Sequence, residues 1–231
     1  MREIKFPQSK SKLRLLDAAE QLFAERGFEA VSVRDVTKLA KANVAAVNYH
    51  FGSREEMVAL VVSRYVIPVN EERLARLDVL ERKWSGKAVP LEEIVDAFVR
   101  PVVGLVRKSE LSQSLFCRLV GRIFAMQGEG VPQAVEEQMK TLIDRFVRAL
   151  GKALPTVSQE ELVWRMHFLV GSIIHMLVNQ DMLQRLSGGA SGNPTMEVTV
   201  GRFIRFAAAG LREGVELEAE VKKGPQATFD F

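Results

Sequence analysis

Cysteine is all but missing. Cys117 stands alone among 231 residues, so no disulfide can close within the chain, and that usage suits a reducing compartment. Long apolar runs are missing too. The longest, FLVGSIIHMLV at Phe168–Val178, is broken by His175 and falls well short of the ~20 residues that a membrane-spanning helix needs. Met1–Lys10 has no apolar core of the kind a secretory signal carries. These absences predict a cytoplasmic protein with no membrane partner. No stretch alternates apolar and polar residues as a strand would, and no repeat or low-complexity tract stands out. There is no phosphate-binding loop, no cluster of metal-ligand residues and no nucleophile placed beside a base. His167 and His175 lie eight apart on an apolar helix, whereas helical zinc pairs are spaced by four. Enzymes are therefore the least favoured class, and no cofactor or metal is expected. Cys117, set among Leu115, Phe116 and Leu119, reads as a small buried apolar residue.

The charge that is present is unevenly placed. The formal net charge is +3. Residues 1–64 hold 11 Lys/Arg and 8 Asp/Glu, and the remainder holds 21 of each sign, so the whole excess lies in the first quarter. Up to Arg14 there are five basic residues against Glu3 alone. A basic arm of this kind suits either a polyanion partner or plain solubility.

Apolar periodicity predicts an all-α protein: an N-terminal unit of three or four short helices, then a larger helical body. A first helix from about Ser11 carries Leu13, Leu16, Ala19, Leu22 and Phe23 and ends at Gly27. Ser32 and Asp35 resemble a capping box ahead of a short helix, and Asn43 caps another, Val44–His50. Ser53 and Glu56 open a fourth through Tyr65. Pro68 interrupts the pattern, so Val69–Trp84 is either a new helix or the kinked end of the fourth. Pro101 is expected to kink or break the next helix, QGEG at 127–130 marks a turn, and a long helix is expected from Ser158 to about Leu186. The last helix runs from about Thr195 to Glu216 or beyond. The domain reading is 1–66, 67–220 and a flexible tail at 221–231.

Two short helices joined by a tight turn and wedged against a longer one describe a helix-turn-helix. Its second helix enters the major groove with its N-terminal residues on base edges. Val44–His50 has no acidic residue, Ala45 and Ala46 permit close approach, and a helix N-terminus presents N–H groups to phosphate. A packed helical corner would leave the same periodicity.

The segment from about Lys10 to Tyr65 resembles the DNA-binding domain of the TetR family of bacterial transcriptional repressors. The resemblance rests on Phe23 to Gly27-Phe28, on Ser32 to Val36, on the alanine-rich turn and on Tyr49-His50-Phe51 followed by Ser53 and a helix. It implies that Asn43, Val44, Ala45 and Asn48 face bases, while Ser32, Arg34, Tyr49, His50 and Arg54 face phosphates. Arg54 lies in a first helical turn, where acids are favoured, and a nearby phosphate would explain it. Two residues depart from the family pattern: Lys41 stands where glycine is usual, offering a cation at some backbone cost, and Asn48 replaces a tyrosine and is suited to an adenine edge.

For the body, the resemblance implies a homodimer closed by the last two long helices and a cavity for a small-molecule effector. Leu162, Leu169, Ile173 and Leu177, facing Phe203, Ile204, Ala207, Ala208 and Leu211, form an apolar stripe that is either dimer interface or intrachain core. The dimerisation candidates are Leu169, Ile173, Leu177, Phe203, Ala207 and Leu211. Effector candidates are Phe98, Val102, Phe116, Phe124, Met126, Met139, Trp164 and Phe168, which would serve equally as plain core, with Arg118 and Arg122 one turn apart as either a clamp for an anionic head or a salt-bridged surface. The expected partners are double-stranded DNA, a second copy of the chain and a small apolar or acyl-type effector. The rival readings are an effector-independent DNA-binding scaffold recruited by a protein partner and, last, a helical enzyme.

Overall fold

A computed structural model of the chain describes residues 9–108, 111–126 and 131–213. The basic residues before Ser9, the QGEG turn and the expected C-terminal tail lie outside them. Within the described residues there are ten α-helices and no strand.

The first three helices form a small unit whose ends are set by local chemistry. In α1 (Lys10–Arg26), the Ser9 hydroxyl accepts from the Lys12 N–H, and the apolar side, Leu15, Leu16, Ala19, Leu22 and Phe23, is buried. The helix stops at Gly27, whose φ of 94° favours glycine. A Cβ there would also meet the Arg122 guanidinium, which would have to shift. In α2 (Val33–Leu39) the capping box is complete: the Asp35 N–H donates to the Ser32 hydroxyl, and the Ser32 N–H donates to the Asp35 carboxylate. Asn43 caps α3 (Val44–Phe51), its Oδ1 accepting from the Ala46 N–H at 2.8 Å. Val36, Val47 and Phe51 seal the unit from below.

Pro68 does not end a helix. α4 runs unbroken from Arg54 to Trp84, 31 residues, or about 46 Å. The proline forfeits one backbone bond, but burial continues on both sides of it, through Val61, Val62 and Tyr65, then Val69, Asn70, Arg73 and Leu77. A boundary at 66/67 therefore falls inside a shared strut. Pro101 is likewise carried within α5 (Leu91–Lys108).

The body adds α6 (Gln113–Phe124), α7 (Gln133–Ala153), α8 (Gln159–Val178), α9 (Gln180–Leu186) and α10 (Met196–Arg212). The helix expected to reach Leu186 breaks at Asn179, where φ is −113° and ψ 21°. By length and composition α8 is apolar enough to cross a membrane, contrary to the sequence expectation. One side of it packs against α6 and α7, while about a third of its most apolar stretch is buried. α4 and α10 flank α5, α7 lies against α4, and α6 packs on α1. That last contact ties the small unit to the body. A polar contact reinforces the tie: buried Glu20 on α1 accepts from Arg64 Nη1 at 2.9 Å and from the Tyr65 hydroxyl at 2.7 Å.

Candidate nucleic-acid interface

The turn between α2 and α3 is closed by backbone bonds. The Ala42 N–H donates to the Thr37 carbonyl at 2.9 Å, and the Lys41 N–H to that of Lys38 at 3.4 Å. This closure requires a left-handed residue, and Lys41 supplies it with φ 50°. The position is therefore one where glycine would fit with less strain.

The outer side of this unit gathers most of the candidate residues. Ser32, Arg34, Lys41, Asn43, Val44, Ala45, Asn48 and Tyr49 are all exposed, Tyr49 at 84% of its surface, and His50 is half-buried. α3 thus has two faces. Val47 and Phe51 plug the core, while Val44, Ala45 and Asn48 lie along the open side. Lys38, which the sequence reading passed over, is exposed on α2 just ahead of the turn. Arg34 and Lys38 on α2 and Lys41 in the turn before α3 are exposed and form no ion pair with a carboxylate among the described residues. Lys12 lies over the Phe51 ring, 5.5 Å from its centroid.

Ser32 and Arg54 have further partners. The Ser32 hydroxyl donates to Asp35 at 2.5 Å, which, with the backbone bond from Ser32, holds that carboxyl below the usual aspartate range. Arg54 reaches back to the loop before α2. Its Nε donates to the Val31 carbonyl at 3.0 Å, and Nη2 donates to the Phe28 carbonyl. These carbonyls account for a cation in a first helical turn without any phosphate.

In the body the sequence candidates separate. Phe98 and Phe116 are fully buried packing residues. Val102 and Phe124 border a small cavity between α4, α5, α6 and α7 whose walls also include Tyr65, Asn70, Arg73 and Met139. Arg118 is exposed, its only partner among the described residues being the Ser114 hydroxyl at 3.4 Å. Arg122 crosses to α1, donating to the Glu25 carbonyl at 3.1 Å. With Met126 it lines an open cleft beside the α1–α2 loop. The expected arginine clamp is therefore not formed. Trp164 and Phe168 are far from the cavity, on the outer side of α8, 54% and 60% exposed.

The stripe offered for dimerisation, Leu169, Ile173, Leu177, Phe203, Ala207 and Leu211, is buried within the chain. Leu169, Phe203, Ala207 and Leu211 also line a groove with Phe168 and Phe206. What α8 and α10 leave uncovered is a second face with Trp164, Phe168, Leu183 and Phe206, the last 72% exposed. A groove of about 650 Å³ runs along it, floored by Gly171 and Ser172 and flanked by His167 and His175.

Comparison with known proteins is consistent along most of the chain. Residues 15–61 match the family described as bacterial regulatory proteins, tetR family, and residues 96–210 match the tetracyclin repressor-like C-terminal domain. The HTH-type transcriptional repressor NicS of Pseudomonas putida is 28% identical over 120 residues, 51% of this chain and 56% of that protein. An HTH-type transcriptional repressor of Mycobacterium tuberculosis is 44% identical over 48 residues, 21% of this chain and 26% of that protein. The chain thus matches about half or less of the length of these relatives. Among solved structures, a TetR-like transcriptional regulator from Rhodococcus sp. RHA1 superposes with a TM-score of 0.56 at 19% identity, covering 90% of this chain and 98% of that one. The fatty acid degradation regulator FadR from Bacillus halodurans gives 0.57 at 16%, covering 90% and 100%, a likeness of fold. These relatives are regulators rather than enzymes, and the chain belongs to the TetR family of bacterial transcriptional regulators.

Proposed function

We propose that this chain is a dimeric, ligand-responsive repressor that binds a palindromic DNA operator through α3. The observation that carries the reading is the two-faced α3. Its inner side is anchored by Val47 and Phe51, and its outer side presents small and amide side chains, with three exposed cations on α2 and in the turn before α3 that lack a carboxylate partner among the described residues. Arg34, Lys38 and Lys41 supply sequence-independent attraction to phosphate. Asn48, exposed and amide-tipped, is suited to bidentate contact with adenine. Two copies joined along α8 and α10 would set a pair of α3 helices about 34 Å apart, one turn of duplex.

Effector response follows from how the cavity is wired. Tyr65 borders the cavity and bonds Glu20 on α1, while α6, another of its walls, is held to the end of α1 by Arg122. A ligand that binds one spacing of the two DNA-binding units better than another shifts the population between them. The cavity itself favours the second reading, an effector-independent scaffold. Its volume is about 30 Å³, little more than a water needs.

Gel mobility shifts over a salt series, on a palindromic duplex selected from a random pool, test the first reading. Binding should weaken steeply, with a log–log slope of about −0.9 per phosphate contacted. Flat binding from low to moderate salt would reject DNA as the partner. In the same assay Asn48→Ala should lose preference for the selected duplex by about 1–3 kcal/mol while keeping its affinity for random duplex. Equal loss on both would show that Asn48 does not read a base.

A further inference from the structure

Several arginines of the body, one buried and two partly exposed, are neutralised. Arg165 pairs with Glu161 at 2.7 Å, Arg145 with Asp78 and Glu81 at 2.5 and 2.8 Å, and Arg100 with Asp96 and Glu197. Arg73 differs. It is 5% exposed, about two-thirds of the way along α4, and pairs with no carboxylate among the described residues. Its Nε donates to the Phe98 carbonyl at 2.8 Å and its Nη1 to Asn70 Oδ1 at 3.1 Å, and one face of the guanidinium lies 3.9 Å from the Phe98 ring centroid. Every one of these partners is neutral. Burial pushes the guanidinium down to about 9, so at pH 7 the charge persists. A buried charge without a counter-ion is among the most costly arrangements a core can hold.

Beside it, the Asn70 amide is loosely engaged. Nδ2 donates to Gln138 Oε1 at 3.2 Å and to the Met139 sulfur at 3.2 Å. A thioether is a weak acceptor, so an anionic oxygen would replace it with gain. Arg73 and Asn70 both line the cavity, with Val69, Val102, Val120 and Met139 among its apolar walls.

We propose that Arg73 and Asn70 seat the carboxylate head of a small organic monoanion with an apolar body, and that this molecule is the effector. The inference rests on the ligand-responsive reading above. One guanidinium, with no second cation among the described lining residues, selects a single negative charge. The apolar walls select what is attached to it. The cavity as it stands holds about 30 Å³, so head and body both gain space by displacing Met139, an adaptable side chain, and Phe124, which already stands 39% exposed at the end of α6. Movement there is delivered to Tyr65 and Arg122, two of the residues that bond α1.

The test pairs octanoate with octanamide and benzoate with benzamide, titrated against the full chain by thermal shift and calorimetry. At least one carboxylate should bind about tenfold or more tightly than its amide, the ratio a charge-assisted hydrogen bond supplies. Arg73→Met should fold with an equal or higher Tm, because an unpaired charge leaves the core, and should abolish the preference. Arg73→Lys should keep part of it, which covers the case in which the methionine variant fails to fold. The proposal is overturned if neither carboxylate binds, if the amides bind equally well, or if Arg73→Met retains the preference. Gel shifts separate this from the broader reading. A carboxylate that binds through Arg73 but leaves the selected duplex bound supports the head-group site and rejects ligand-responsive release. A duplex left unbound by the ligand-free protein rejects the operator reading and does not touch the site.

Discussion

The open face of α8 and α10 yields the sharpest quantitative prediction. Phe206 and Phe168 retain 72% and 60% of their surface. Complete burial of a phenyl ring contributes about 2.5 kcal/mol, so closing a partner over this face should add about 1.8 kcal/mol for Phe206 and about 1.5 for Phe168. A two-fold interface counts each residue twice, because the same patch is used on both subunits. Phe206→Ala should therefore cost the dimer about 3–4 kcal/mol, a loosening of Kd by two to three powers of ten. The monomer should barely change in stability, since the ring lies outside its core. Exposed Val79 on α4 serves as control, and Val79→Ala should leave the dimer intact.

Sedimentation equilibrium across a concentration series reads the Kd directly. Operator binding should weaken in step, because a lone protomer engages only half of a palindrome. An unchanged Kd for Phe206→Ala combined with Phe168→Ala would refute the assignment of this face. So would a collapse of monomer stability, which would mean that the rings support the fold and not the interface. Truncating buried Leu211 should instead cost the fold about 2–5 kcal/mol, as is typical of a Leu→Ala cavity, and so lower Tm.

Two further expectations concern the small unit. Lys41→Gly relieves a left-handed lysine while loosening the unfolded chain, so stability should change by no more than about 1 kcal/mol. If Lys41 contacts phosphate, the salt slope of operator binding should shrink by about one per protomer; an unchanged slope would remove Lys41 from the interface. The Glu20 carboxyl is raised above 4.5, chiefly by burial, with Tyr65 and Arg64 opposing. A raised acid in the folded state favours the proton, so its contribution to stability is full below the ordinary glutamate range and is lost as pH rises through the folded value. Relative to Glu20→Gln, the natural chain should therefore gain stability on acidification from neutral pH towards 4.5 in paired urea titrations, and a difference independent of pH would contradict this.

The DNA-binding unit was legible because its determinants are local. Ser32 with Asp35, Asn43 with Ala46, and Ser53 with Glu56 are caps closed within three residues, and each lies where the sequence pattern put it. Lys41 was legible for the same reason, since a turn of that length needs a left-handed residue. The carbonyl partners of Arg54, on Phe28 and Val31, were not legible because they lie more than twenty residues away. On α8, Leu169, Ile173 and Leu177 share their periodicity with the Trp164 and Phe168 side. A helix apolar on two faces does not say which one meets its own chain. The open side of α8 differs in carrying Gly171, Ser172 and two histidines beside its aromatics, a mixture that a dry core would not need.

Arg73 shows where such legibility ends. Arg76, Arg100, Arg148 and Arg165 each have an acid four residues earlier on the same helix, and each pairs with it. Arg73 has Val69, Asn70, Arg76 and Leu77 at the neighbouring helical positions, so no local partner is available. That absence marks it as unusual but does not decide its role, because Arg145 also lacks an acid at those spacings and finds Asp78 and Glu81 on α4. What separates the two arginines is tertiary placement. Arg145 lies at the α4–α7 seam opposite two carboxylates, whereas Arg73 is turned into the body against a phenylalanine ring and a backbone carbonyl. Arg118 and Arg122, one turn apart in an apolar helix, suit either an anion clamp or a salt-bridged surface by spacing alone. The fold gives Arg122 to the end of α1 and leaves Arg118 exposed, while the cation without a carboxylate partner lies on α4, the helix that also carries Tyr65 and its bond to Glu20. Recognition of an anion and the link to the DNA-binding unit thus share one helix, with Arg73 and Tyr65 eight residues, about two turns, apart.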